Sequence, residues 1–232
     1  MSLATWWRPR RSAWWMGLLF GVGSLLFLVP AVASLGASAD WIAVAFAAGS
    51  VFFTAAATLQ LVVALEVPHR LRPAHVHALR PRAWMPARVD VLAAAIQWPG
   101  TLFFNVNTFV ALNHALTTRE TDVRVWTPDM IGSACFLIAS LLAFANVEHR
   151  WVSLRPRDVD WWIAAVNLAG SIAFGVSAIS AFVRPETGTE LNDRISALGT
   201  AIGALGFLIG ALLLPVQAER QERTAAPGSE TP

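Results

Sequence analysis

The residues of this chain best placed to do chemistry are polar side chains inside an apolar run. Between Val91 and Leu116 that run carries Gln97, Thr101, Asn105, Asn107, Thr108, Asn113 and His114. On a helix, Gln97, Thr101, Asn105 and Thr108 fall along one face, and Gly100, Phe104, Asn107, Ala111 and His114 along the next. Polar groups are costly in hydrocarbon, so they turn towards protein or a water-filled cavity. Two readings follow. Gln97, Thr101, Asn105, Asn107 and His114 line a path for a small solute or ion, or they make interhelical hydrogen bonds that fix a bundle. No acidic residue lies within this run to relay protons or hold a cation. Pro99, before Gly100, adds a bend that would bare backbone carbonyls.

A second cluster collects His69, His75 and His77 with Glu66, Glu148 and His149. Its spacing is loose and loop-borne, without HExxH or paired cysteines, so no metal site is expected. A titratable, basic loop resting on anionic headgroups is the simpler reading. The chain has no GxGxxG, Walker loop or GxSxG, and its single cysteine, Cys135, sits in an apolar run as a small hydrophobe. No catalytic residue or cofactor is expected, and the chain reads as a non-enzyme.

The elements that carry these residues are membrane spans. Hydrophobic residues make up 56% of the 232 and charged residues 14%, a balance that a water-soluble domain does not use. The pI near 9.9 accompanies a net charge of only +2, and no basic face interleaves with aromatics, so nucleic acid is not an expected partner. A span takes about 20 apolar residues. Six runs qualify: Ala13 to Leu35, Trp41 to Leu65, Val91 to Leu116, Met130 to Val147, Trp161 to Val183 and Ile195 to Leu214. The first resembles a signal peptide, with Ala31-Val32-Ala33 as a cleavage site, but its length and its internal recurrence predict a retained helix.

Arginines set the expected orientation. All seventeen basic residues are Arg, a bias that fits a bacterial genome. Thirteen fall in the N-terminal arm, the connections after the second and fourth runs, and the tail. By the positive-inside rule, both termini and those connections face the cytoplasm. The layout is residues 1–66, arm and first hairpin; 67–90, a Pro/Arg/His loop; 91–147, second hairpin; 148–160, a loop; 161–214, third hairpin; and 215–232, a disordered tail.

Repeats tie the hairpins together. RPRxxxWWx7GSxxF at Arg8 to Phe27 returns at Arg155 to Phe174, and RPR recurs at Arg80. GSxxF appears at Gly23-Ser24, Gly49-Ser50, Gly132-Ser133 and Gly170-Ser171, with relaxed forms at Gly100 and Gly203. Glycine at i and phenylalanine at i+4 share a face, giving each helix a notch and a knob. At about 1.5 Å per residue, Gly23 and Gly49 both fall near mid-membrane, so hairpin partners should cross there, with Phe27 reaching outward and Phe53 inward. The serines can bond a carbonyl one turn back. Gly199, Gly203, Gly206 and Gly210 form a stripe on the sixth helix, for packing within the monomer or for a dimer seam.

GLLFGVGSLLFLVPAV followed by AFAAGSVFFTAAATLQLV resembles the YrhK-like domain, a bacterial two-helix membrane module with a Gly-Ser element in each helix. The likeness covers residues 14–66 and, more loosely, 161–214; the middle hairpin departs from it through GTLFF and its polar third helix. The resemblance implies membrane placement and paired helices, with no activity to carry over. The chain is therefore expected to be an all-α integral membrane protein with six transmembrane helices in three parallel hairpin repeats. Its expected place is the cytoplasmic membrane, with lipid as partner and a homo-oligomer as the alternative to a monomer. Its expected role is assembly through small-residue seams, with a small-solute permease or channel as the alternative.

Overall fold

The computed structural model describes residues 9–36, 38–66, 88–147 and 158–225. Six helices among them are long and apolar enough to cross a membrane. They are α1 (Pro9–Ser34), α2 (Asp40–Glu66), α3 (Val89–Val110), α4 (Thr118–Val147), α5 (Val159–Ser180) and α6 (Asp193–Ala225). No strand occurs among the described residues; one isolated antiparallel bridge joins Val183 to Glu190 in the α5–α6 turn. Gly188, with φ of +66°, takes the left-handed conformation that closes this turn.

Each helix packs on its chain neighbours, and α1 packs on α6, so the six close into a ring. Its interior is built from the repeated element. Within each hairpin the two glycine notches face each other: a Cβ on Gly23 would lie 3.2 Å from the Gly49 carbonyl, one on Gly132 3.0 Å from that of Gly100, and one on Gly170 2.9 Å from that of Gly203. Each notch also receives the partner's knob, Phe53 over Gly23 and Phe27 over Gly49, and likewise in the other hairpins. The crossing expected at the Gly-Ser pairs is present.

The six phenylalanines meet at the centre as two stacked triangles. Phe27, Phe104 and Phe174, from α1, α3 and α5, have ring centroids 6.1 to 6.4 Å apart. Phe53, Phe136 and Phe207, from α2, α4 and α6, are 5.4 to 6.2 Å apart. The triangles join within each hairpin at 5.5, 5.1 and 5.7 Å. The arrangement follows from antiparallel chain direction: four residues past the glycine moves about 6 Å towards the hairpin turns on odd helices and the same distance towards the termini on even ones. Tilted and edge-on ring pairs of this kind fill a core without polar groups.

The seams between hairpins differ. Between the second and third, the Ser140 and Ser171 hydroxyls pair at 2.7 Å, both buried. Ser140→Ala is expected to cost about 1–3 kcal/mol by leaving Ser171 unpaired, and adding Ser171→Ala should recover part of that; denaturation midpoints of the two variants in detergent check it. Between the third and first, α6 lies against the small face of α1, with the Ala211 carbonyl 2.7 Å from where a Cβ of Gly17 would be. The stripe of Gly199, Gly203, Gly206 and Gly210 faces α5 of the same chain, so it is occupied within the monomer.

Four expectations are corrected. The third helix ends at Val110 rather than Leu116, because Asn113 caps the chain end: its N–H donates to the Val110 carbonyl and its side chain accepts from Ala115. The fourth starts at Thr118 rather than Met130, opened by a reciprocal Thr117–Glu120 capping box. The sixth runs through Pro215 to Ala225 rather than giving way to a disordered tail, with Pro215 seated beside Gly17, Ala218 buried and Gln217 donating to Asp160 at 2.8 Å. Of the serines, Ser50 bonds the Ala47 carbonyl as expected, but Ser24 and Ser133 are buried without a partner. Arg8, Arg80, Arg155, the histidine cluster of 69–77 and 149, and residues 226–232 lie outside the described residues.

Candidate functional site

The polar residues of α3 turn to two neighbours. Their first face is bonded to α2: Gln97 donates to Gln60 at 3.4 Å, Trp98 to Thr58 at 2.9 Å, Asn105 to Thr54 at 2.9 Å and Thr108 to Ser50 at 2.9 Å. Thr101, wholly buried, donates to the Trp98 carbonyl. This is a ladder of hydrogen bonds between α2 and α3. His114 lies beyond the helix end, exposed, its Nε2 3.9 Å from Asp40. Pro99 stays inside an unbroken α3.

Asn107 is different. It turns from the α2 ladder to α4, where its amide donates to Asp129 at 2.8 Å. Both line a cavity of about 460 Å³ at the end of the ring that carries the hairpin turns. Phe27, of the first triangle, forms part of its floor; Ile42 and Phe46 of α2 and Ser177 of α5 stand in its walls. Glu190, from the α5–α6 turn, is exposed at its rim, and partial withdrawal from water pushes its carboxyl above the ordinary carboxylate range against a lowering hydrogen bond from Ser196 and with a raising contribution from Asp193.

Asp129 reaches this place because α4 begins early. After the capping box the chain runs through a π turn, Asp122–Trp126, before resuming as α-helix. The wider turn re-aims the side chains that follow it. Trp126 donates its indole N–H to the Ala178 carbonyl at 2.8 Å, pinning α4 to α5, and Asp122 accepts from the Val183 N–H. Sequence reasoning missed Asp129 and Glu190 by assigning both to turns. The Thr117-x-x-Glu120 signature was available and would have moved the helix start. Among the described residues, no group of three or more His, Cys, Asp and Glu is placed to hold a metal ion.

The segment that supplies Asn107, Trp126, Asp129 and Ser177 is also the one with known kin. Residues 99–185 match the family of the YrhK-like protein. The YrhK-like match thus spans most of α3, all of α4 and α5, whereas the likeness read from the sequence was drawn on 14–66 and 161–214. The middle hairpin's GTLFF departs only in its hydroxyl residue: Gly100 still meets Gly132, and Phe104 still joins its triangle. The YrhK-like stretch leaves out the Ile42 and Phe46 wall, which comes from α2. Neither a curated protein nor a solved structure matches the chain.

Proposed function

We propose that this is a non-enzymatic multi-pass protein of a bacterial cytoplasmic membrane, with both termini cytoplasmic, whose small-residue seams assemble its own three hairpin repeats into a sealed bundle. What supports this is the pair of phenylalanine triangles, which fill the interior of the ring beneath the polar turn-end cavity. The outer surface supports the membrane setting: bulky aliphatics such as Leu25, Val44, Val106, Ile138, Ile179 and Leu212 are exposed, while glycine, alanine, serine and phenylalanine are inside. Lipid favours that inversion, since it solvates aliphatic chains and leaves close packing to hold the helices together. The arginine distribution supports the orientation. With the glycine stripe occupied by α5, a second copy would meet the aliphatic face; the mass of the purified protein in detergent reads this directly, and a monomer is expected.

A permease is the second reading, favoured by the Asn107–Asp129 pair at the cavity. The two readings separate in vesicles of the pure protein. A sealed bundle moves no small solute, with or without Asn107→Leu. Solute flux abolished by Asn107→Leu, at unchanged expression, would replace the sealed reading with transport. Asn105→Leu should instead cut stability, by about 1–2 kcal/mol for the lost bond to Thr54, on a denaturation curve.

A further inference from the structure

We propose that the turn-end cavity is a binding site for a small organic cation, an alkylammonium whose charged head meets Asp129 and whose apolar body lies against α1 and α2. The inference goes beyond the sealed-bundle reading and holds whether or not anything crosses the membrane.

Three observations carry it. The first is charge. Asp129 and Glu190 line the cavity, and no Arg or His is among its lining residues. Asn107 donates to one oxygen of Asp129, Oδ1. A carboxylate withdrawn from water is costly until a positive group joins it.

The second is the mixed character of the walls. Phe27, Ile42, Phe46, Val125 and Val183 give the cavity apolar surface, and Asn107, Asp129, Ser177 and Glu190 give it polar or acidic groups. A volume of about 460 Å³ is far larger than a bare metal ion needs and suits an organic molecule. A cavity that combines apolar surface with two carboxylates is complementary to an amphipathic cation.

The third is where the three hairpins stop resembling one another. Seven residues past the first glycine of each hairpin stand Pro30, Asn107 and Ser177; three before the second stand Phe46, Asp129 and Thr200. One turn deeper on the odd helices and two on the even ones, the same frame gives six phenylalanines without exception. The core is uniform because it only has to pack. The cavity is not: at these positions Phe46 of the first hairpin is apolar, whereas Asn107 and Asp129 of the second and Ser177 and Thr200 of the third are polar, and all five line it.

The test is titration calorimetry on the full chain in a maltoside detergent, with n-butylammonium as the probe and n-butanol and potassium as comparisons. Saturable one-to-one binding of butylammonium is expected, with at least a tenfold loss in Asp129→Asn and a smaller loss in Glu190→Gln. Butanol should not bind, and equimolar potassium should not compete. Ile42→Trp fills the cavity and leaves both carboxylates in the chain, and should also abolish binding; it decides the matter if Asp129→Asn does not elute as a single species. No saturable binding, or binding unchanged in Asp129→Asn and Ile42→Trp, overturns the proposal. Binding of potassium with the same sensitivity to Asp129→Asn would overturn it in favour of an inorganic cation. Flux in vesicles is a separate readout, so failure here leaves the sealed-bundle reading standing.

Discussion

Phe136→Ala should be among the most destabilising single changes this protein can suffer. The ring is 1% exposed and touches Phe53, Phe104 and Phe207, so it belongs to its own triangle and to the contact that joins the two. Truncating a core phenylalanine costs about 3–5 kcal/mol in a water-soluble protein. Lipid removes much of the water-transfer part, because the side chain leaves one apolar medium for another, but the lost ring contacts and the cavity remain. A loss of at least about 2 kcal/mol is therefore expected. Unfolding by denaturing detergent, followed by tryptophan fluorescence, measures it. Phe109→Ala is the control: that ring is 51% exposed, on the outer face, and its removal should change little. Equal shifts in the two variants would show that the triangles do not hold the bundle. Phe53→Ala combined with Phe136→Ala should cost less than the sum of the two, because the rings touch and share one cavity.

Gly206→Ala should have the second large effect, out of proportion to one methyl group. A Cβ there would stand 2.7 Å from the Val166 carbonyl oxygen, 3.1 Å from the Gly170 Cα and 3.2 Å from the Gly170 nitrogen. All three are backbone atoms of α5, so no side chain can swing aside and the two helices must separate. Overpacking of this kind costs about 1–3 kcal/mol, and here it also pulls Phe174 from Phe207, which meet across the same crossing. Gly175→Ala supplies the contrast. Nothing lies within 4 Å of its Cβ position, and alanine is the better helix former by about 1 kcal/mol, so that variant should be neutral or slightly more stable. A Gly206→Ala protein as stable as Gly175→Ala would mean that α5 and α6 do not pack through this glycine.

Much of this architecture was legible in one dimension. Apolar runs long enough to span gave six helices, because hydrocarbon thickness fixes the length of a helix that crosses it. The recurrence of glycine four residues before phenylalanine gave the crossing point of each hairpin, because i and i+4 share a face and hairpin partners must meet near mid-height. Helix ends were less legible. Asn113 and the Thr117–Glu120 box act through local backbone bonds that an apolar count does not register, and Pro215 continues a helix because α1 offers Gly17 beside it.

By itself, then, the sequence determined which residues share a face: the six notches, the six knobs and the polar edge of α3. Only the tertiary structure decided which neighbour each face would meet. Periodicity carries no information about ring closure, so nothing in the order of residues announced that α1 would pack on α6, that six knobs from six helices would stack as two triangles, or that Gln97 and Asn105 would be bonded to α2 while Asn107 turned to α4. Asp129 and Glu190 illustrate the limit most plainly. They are sixty-one positions apart, and what brings them to one cavity is the convergence of three hairpins over a common core, a property of the closed ring and of no single segment.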